Sequence, residues 1–427
     1  MDVALTTYRA AIDALFTRTT GVWKLGLERV NALLEQLGNP HRTLTVLHVG
    51  GTNGKGSVVA TAEAILRSRG LRVGRYTSPH LIDFRERILV DRAPIGEEEV
   101  LAFLERWTPE AERLGATFFE ITTALALEHF AKSGVDVAVV EVGLGGRLDA
   151  TNVVSPRAAI VTSIALDHTE WLGDSIEAIA GEKAGIFKAG RPAVIGERDP
   201  EISALLSRIA ASHDARPIIL VRDRGAIGAV RTTIGGTSFT IEGDRPLAVH
   251  TPLPGAHQAY NAVTALAALD TAALAPWPVA GTPVTIPHVA LPGRFQCVGR
   301  WIFDVAHNPS GAEVLAETIH AVAPPRPLVV LLAVLGDKDW RAIMRALARV
   351  ADAVVLTRPR SAPAARIWNL DEALDFARTL SWRAVAEPDF DDAIARTDAM
   401  GSTTLITGSF HTVGDAMARL QVNPLAA

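Results

Sequence analysis

A strand that runs into glycines and leaves as a helix is the feature that most restricts how this chain can fold. Residues 43–49 are short and β-branched, a glycine-rich turn follows, and Val58, Val59, Ala62, Ile65 and Leu66 then recur at helical spacing until Gly70. Residues 135–142 (VDVAVVEV) are almost continuously apolar, and 158–164 are similar. Such runs suit strands covered on both faces, and their alternation with helical stretches predicts an α/β fold around a parallel sheet. Residues 229–243 differ, because TTIGGTSFTI reads as a hairpin about Gly235-Gly236. Residues 271–293 are rich in Ala and Pro and read as a linker. Beyond them WIFDVA, PLVVLLAVL, DAVVLT and TTLITG read as strands, each followed by a helical stretch. The expectation is two α/β domains: 1–291 with a P-loop-type parallel sheet, and a smaller Rossmann-like 292–427.

The turn itself carries chemistry. Residues 48–60 (HVGGTNGKGSVVA) pass through Gly51, Thr52, Asn53, Gly54, Lys55, Gly56 and Ser57 before the helix. Backbone N–H groups in such a loop point at phosphate oxygens, and the helix N-terminus adds favourable partial charge. Lys55 would lie on the β/γ-phosphates and the Ser57 hydroxyl on Mg²⁺. The strict phosphate-loop pattern is not met: Val49 stands where its first Gly would fall, and Gly56 separates Lys from Ser. An ordinary glycine-rich turn is the alternative, and the strand before and helix after favour nucleotide binding.

Two strand ends and one helix add groups. Glu141 closes VDVAVVEV, where an acid beside a phosphate loop is placed for Mg²⁺; a solvent-facing strand-end acid is the alternative. His168, in SIALDHTEWLG, follows the next apolar strand on the same sheet edge. In DSIEAIAGEKAGIFK, helical spacing puts Ile176, Ile179, Ala180, Lys183 and Phe187 on one stripe. A lysine there is costly unless paired, neutralised or modified, and its alternative is a snorkelling side chain. One expectation is that Lys183 lies near the phosphates as a carbamate serving a second Mg²⁺.

Of 427 residues 48% are hydrophobic and 21% charged, enough apolar material for large cores. A net charge of −5 argues against general nucleic-acid affinity. Cys297 is the only cysteine, which excludes an intramolecular disulfide and fits a reducing cytoplasm. The first residues carry Asp2 and Asp13 and lack the basic start and apolar core of a signal peptide. No apolar run is of membrane-spanning length. A cytoplasmic monomer that binds neither nucleic acid nor membrane is expected.

Taken together these segments resemble the Mur ligase superfamily, and within it folylpolyglutamate synthase/dihydrofolate synthase. The resemblance covers nearly the whole chain through HVGGTNGKGS, TSPHL with FRERI, FFEITTALAL, EVGLGGRLDATN, LDHTEWLG, EKAGIFK, HQAYNAVTAL, LPGRFQ, DVAHNP, GDKD and GSFHTVG, in that order. It implies that Ser57, Glu141 and His168 hold Mg²⁺ and that Lys183 is carbamylated. It implies that Asn261, Arg294 and Asp304 contact ATP. Ser78, Pro79, His80, Phe119 and Asp149 fall where the pterin-bearing substrate is expected, and His307 and Ser409 in segments associated with glutamate. The family usually has Ala at Gly50 and Gly at Val305; the second departure puts a branched side chain beside Asp304. The implied reaction is ATP-dependent addition of L-glutamate to reduced folates and to dihydropteroate through an acyl phosphate, with Lys55, Lys183 and His168 at the chemistry. ATP lying between the domains would draw them closed. A cell-wall ligase of the same superfamily would need an extra domain ahead of the phosphate loop. A nucleotide-dependent switch would leave DVAHNP and Lys183 unexplained.

Overall fold

The protein is described by a computed structural model in which residues 7–17 and 26–424 are placed; Asp2 of the leader reading lies outside the described residues. The chain separates into two compact units. One takes in residues through His80, Phe84–Ala226 and Asn261–Val279, and the other Leu81–Asp83, Ile227–Tyr260 and Ala280 onwards.

The first unit is built on an eight-stranded sheet of order β4-β3-β2-β5-β1-β6-β7-β8. Its strands are β1 (Val46–Gly50), β2 (Val73–Tyr76), β3 (Ile88–Val90), β4 (Ala93–Pro94), β5 (Val137–Glu141), β6 (Ala158–Val161), β7 (Ala193–Ile195) and β8 (Ile218–Leu220). All neighbours are parallel except at the β2–β3–β4 edge, where the chain turns back on itself. β1, β5 and β6 are buried along their whole length, as their unbroken apolar sequences require of strands covered on both faces. In β5, Ala138 and Val140 join a core with Tyr76, Phe118 and Phe130. In β6, Ala159 and Val161 join another with Ile179, Ala184 and Phe187. Register sets Val49 opposite Glu141 and Gly50 opposite Val161, so the segments leaving β1, β5 and β6 start side by side. The helix Lys55–Ser68 follows β1 and ends before Gly70, whose φ of 81° suits glycine.

The second unit holds two sheets. β9 (Ile227–Thr233), β10 (Gly236–Ile241), β11 (Leu247–Thr251) and β12 (Val284–Thr285) form the order β12-β11-β10-β9. The expected hairpin is β9–β10, with Thr233 paired to Gly236, so its two-residue turn is Ile234-Gly235, one position earlier than the glycine pair indicates. Part of the Ala- and Pro-rich stretch is itself strand, since β12 pairs parallel to β11. The other sheet, β13-β14-β18-β15-β16-β17, is parallel apart from the β13–β14 pair. Its strands are β13 (Gln296–Val298), β14 (Trp301–Phe303), β15 (Leu328–Leu332), β16 (Ala353–Leu356), β17 (Arg383–Ala386) and β18 (Thr403–Thr407). β15 serves both of its faces: Leu328, Val330 and Leu332 enter one core, Val329 and Leu331 the other. No helix among the described residues is long and apolar enough to cross a membrane.

Candidate active site

The phosphate loop is stitched to the segment that leaves the neighbouring strand β6. Thr52 N–H donates to the Ser163 carbonyl at 2.6 Å, and Thr52 Oγ1 accepts from Ala165 N–H at 3.0 Å. The Thr162 and Ser163 hydroxyls both donate to the Asn53 carbonyl, at 2.7 and 3.0 Å. Gly51 and Gly54 have φ of 137° and 89°, backbone that side-chain-bearing residues rarely enter. A Cβ on Gly51 would lie 1.9 Å from Thr162 Oγ1, and one on Gly54 2.6 Å from Asn261 Oδ1. The latter approach sets the Asn261 side chain against the loop. Asn261 stands inside the helix Ala256–Thr271. Gly56 and Ser57 are buried in the first turn of Lys55–Ser68, whose N-terminal N–H groups have no helical partners.

Two amines converge on one carbonyl. Lys55 Nζ donates to the Gly51 and Thr52 carbonyls, both at 3.1 Å, and Lys183 Nζ donates to that of Gly51 at 3.0 Å. Lys183 is 5% exposed, so its ammonium does not snorkel to water. Burial and then the Lys55 charge bring its pKa down to about 7, against the opposing pull of Asp167 and Asp149. Its helix is Ile176–Ala184, which ends before Phe187; that side chain reaches the same core from beyond the helix rather than on its stripe.

Glu141 is buried at the end of β5 and accepts from Ser78 N–H at 3.4 Å. His168 lies beyond β6 with φ 52°, an uncommon conformation for a residue other than glycine, just ahead of the short helix Thr169–Leu172. Its N–H donates to Asp167 Oδ1 at 2.9 Å. Ser57, Glu141 and His168 thus belong to segments leaving three adjacent strands at their carboxyl ends, where open α/β sheets bind ligands. Asp167, the acid nearest in its effect to Lys183, was not singled out in sequence.

Beyond β2 lies an aromatic cluster. The Ser78-Pro79 peptide is cis. His80 Nδ1 accepts from Arg87 Nε–H at 2.8 Å, and its ring stands 5.8 Å from Phe16 and 6.4 Å from Phe84. The Arg87 guanidinium covers the Phe118 ring at 5.2 Å. Phe119 stacks on Tyr76 at 6.0 Å, and a Cβ on Gly143 would lie 2.4 Å from the Phe119 ring. Glu120 closes a capping box with Thr117 and pairs with Arg29, a helix-start role. The Asp149 carboxylate is turned into its own loop, accepting from Leu144 N–H at 2.8 Å and Thr151 N–H at 3.0 Å. Burial raises its pKa in spite of those bonds.

The second unit gathers its own set at the ends of β14 and β18. Asp304 accepts from Phe295 N–H and Ala306 N–H, both at 2.9 Å; burial raises its pKa, and the Arg294 charge opposes the rise. Arg294 lies over the Phe410 ring at 5.1 Å, and the His307 ring is 5.7 Å from the same ring. His307 Nδ1 is 2.8 Å from the Val305 carbonyl, which makes it the protonated nitrogen. Ser409 caps the helix Phe410–Arg419, its Oγ accepting from Thr412 N–H at 3.0 Å. Phe410, central to this group, was legible only as part of GSFHTVG.

The Mur ligase middle domain matches residues 49–269, and the Mur ligase glutamate ligase domain residues 293–410. The dihydrofolate synthase/folylpolyglutamate synthase of Escherichia coli is 38% identical, over 92% of this chain and 90% of its own. Folylpolyglutamate synthase of Mycobacterium tuberculosis, solved with ADP, superposes with a TM-score of 0.86 at 32% identity, covering 99% of this chain and 100% of that one. A bifunctional folylpolyglutamate synthase/dihydrofolate synthase solved with Mn, AMPPNP and L-glutamate gives 0.80 at 33%, covering 98% and 99%. The chain belongs to the dihydrofolate synthase/folylpolyglutamate synthase family of Mur ligases. It is an ATP-dependent ligase with the α/β architecture expected of that family.

The family's divalent metal fits the groups present. Among the described residues no three His, Cys, Asp or Glu gather at one point. The candidate set is instead mixed: a buried hydroxyl, a buried carboxylate, an imidazole and a lysine whose pKa burial brings down to about 7. Nor does the Val305 departure disturb the ligase scaffold. Val305 is not among the residues of positive φ, its N–H donates to the Gly293 carbonyl at 2.9 Å, and its side chain is 2% exposed in a core with Phe303 and Val413. Val305→Gly is therefore expected to lower stability by about 2–3 kcal/mol in denaturant unfolding, through lost burial and added backbone freedom. Unchanged stability would show that the valine contributes no packing.

Proposed function

We propose that this ligase adds L-glutamate to reduced folates, and to dihydropteroate, through an acyl phosphate. The observation that carries the reading is the convergence of Lys55 and Lys183 on the Gly51 carbonyl, which sets the Lys55 charge and the Lys183 nitrogen together beside a loop shaped for phosphates. A substrate carboxylate is a poor electrophile. Transfer of the γ-phosphoryl group of ATP to it yields ADP and an acyl phosphate; the α-amine of glutamate then attacks the carbonyl carbon, and phosphate leaves. Residues 1–291 supply the nucleotide-binding half on this reading and residues 292–427 the glutamate half.

Within it, Gly51, Asn53, Gly54 and Gly56 offer main-chain donors to the phosphates, Thr52 shapes the loop through its N–H bond to the Ser163 carbonyl, and Lys55 balances the charge that builds up there. Asn261, Arg294 and Asp304 orient the nucleotide, Arg294 being held in place by the Phe410 ring. Ser57, Glu141 and His168 would hold Mg²⁺, with Lys183 as a carbamate at a second site. Bound Mg²⁺ would neutralise phosphate charge and polarise the P–O bond. The amine of Lys183 loses one proton on adding CO₂, which its lowered pKa favours. A mass gain matching one carboxyl group, lost in acid, is expected for the native chain; an unmodified lysine under CO₂ would end that part of the reading. His80, Phe119 and their aromatic neighbours supply flat apolar surface for a pterin ring, while His307 and Ser409 lie where glutamate would bind. A cytoplasmic monomer without nucleic-acid partners completes the reading.

Glutamate-dependent ADP release, with dihydropteroate and a reduced folate as parallel acceptors, is the test. Turnover with both, abolished by EDTA and restored by Mg²⁺, is the expected result. Turnover with one assigns a single activity. ADP release that ignores glutamate would overturn the proposal.

A further inference from the structure

His48 lies inside β1, three residues before Gly51, and is fully buried. Its Nε2 is 2.8 Å from Thr151 Oγ1, while its Nδ1 is buried and has no hydrogen-bond partner. The Thr151 hydroxyl in turn meets Asp149 Oδ1, which also accepts from Thr151 N–H at 3.0 Å; Asp149 Oδ2 accepts from Leu144 N–H at 2.8 Å. A carboxylate already taking two N–H bonds is an acceptor, so the single Thr151 hydroxyl proton goes to Asp149. Thr151 Oγ1 can then only accept from His48, whose proton must sit on Nε2. The reversed order would need a protonated carboxyl group and would leave a buried Nδ1–H with no acceptor, whereas an unmatched lone pair is the milder defect.

The loop this chain of donors holds is placed between two groups of the proposed chemistry. It leaves Glu141 and packs on the helix of Lys183, with Arg147 N–H donating to the Glu182 carbonyl at 2.8 Å. Asn152 Nδ2 donates to the Arg147 carbonyl at 2.9 Å and to that of Gly185 at 3.1 Å. Gly146 comes so close that a Cβ there would lie 2.7 Å from the Lys183 carbonyl. We propose that His48 and Thr151 are positioning residues, whose one-way donor chain onto Asp149 fixes this loop and thereby the relative placement of Glu141 and Lys183. The proposal rests on the ligase reading in that Glu141 and Lys183 must serve the phosphoryl step. Burial holds the His48 pKa down to about 3, so the imidazole remains neutral under working conditions.

Two measurements on the full chain test it. In ¹⁵N-histidine NMR, with His48→Gln used to assign the signal, His48 is expected as the neutral Nε2–H form, with no titration from about pH 5 to pH 8. An Nδ1–H form, or titration in that range, overturns the donor chain. In steady-state kinetics Thr151→Val, which removes only the hydroxyl function, is expected to lower kcat about 10–100-fold with the KM for ATP little changed. Thr151→Ser is expected to restore it. A Thr151→Val protein that melts earlier but keeps wild-type kcat would make the chain merely structural and overturn the proposal. A wild-type chain without glutamate-dependent turnover would overturn the ligase reading instead, and the tautomer would still decide the direction of the chain.

Discussion

Lys183→Met is expected to lower turnover about 10²–10³-fold while raising thermal stability at neutral pH. The two effects share one cause. The amine is 5% exposed, stands near Lys55 and has a pKa of about 7 against an ordinary 10.5. Between those two values the unfolded chain binds more protons than the folded one, so this residue makes stability rise with pH across that window. Below it the full penalty of burying the amine in competition with its proton is felt. Methionine fills a similar volume and carries no such penalty. In CO₂-free buffer, where Lys183 stays a free amine, the stability gain of Lys183→Met should thus be largest below about pH 7 and shrink towards pH 10. Calorimetric melting at several pH values, beside an ADP-release assay, reads both. A variant with wild-type turnover would remove Lys183 from the chemistry, and one less stable at every pH would refute the burial penalty.

Gly51→Ala is expected to lower kcat/KM for ATP about 10²-fold, since a displacement near 1 Å at a reacting centre has effects of that size. The added Cβ would meet Thr162 Oγ1 at 1.9 Å and Thr162 N at 3.0 Å, on a residue whose φ is 137°. Neither neighbour is a flexible tip, because the Thr162 hydroxyl is engaged with the Gly50 and Asn53 carbonyls. Relief must come from the loop. Titration with a fluorescent ADP analogue separates lost affinity from lost turnover. Adding Thr162→Ala should recover part of the loss and show coupling in the double-mutant cycle. Additive losses would mean that the loop adapts in some other way.

Much of this site could be read in the sequence because its parts lie at the ends of locally patterned elements. The apolar run ending at Glu141, the strand before Gly51 and the helix carrying Lys183 each announce themselves within a dozen residues. The hairpin of β9 and β10 was legible too, and only its turn moved, because strand pairing rather than the glycine pair sets the turning point. What stayed hidden depends on contacts between distant segments. Arg87 on His80, Asn261 against Gly54, and the stitching by Thr162 and Ser163 have no local signature. Short strands such as β7 and β17 are likewise too brief to stand out from their surroundings. Asp149 and Ser409 illustrate a different gap: sequence marks them as notable, but only the fold shows both engaged in holding main-chain N–H groups.

The stitching of the phosphate loop also bears on when, during synthesis, this chain can first hold a nucleotide. The bonds that shape Thr52 and Asn53 reach across 109 to 113 residues. A nascent chain that has released β1 and its helix, but not residues 162–165, has the loop's sequence without the partners that set its form. Closing so long a span is slow compared with forming the helix. Nucleotide competence should therefore arrive late and abruptly, once β6 has docked beside β1, and ribosome-bound fragments of increasing length would reveal the step. Until then the glycines that suit the finished loop leave it among the least ordered parts of the emerging unit.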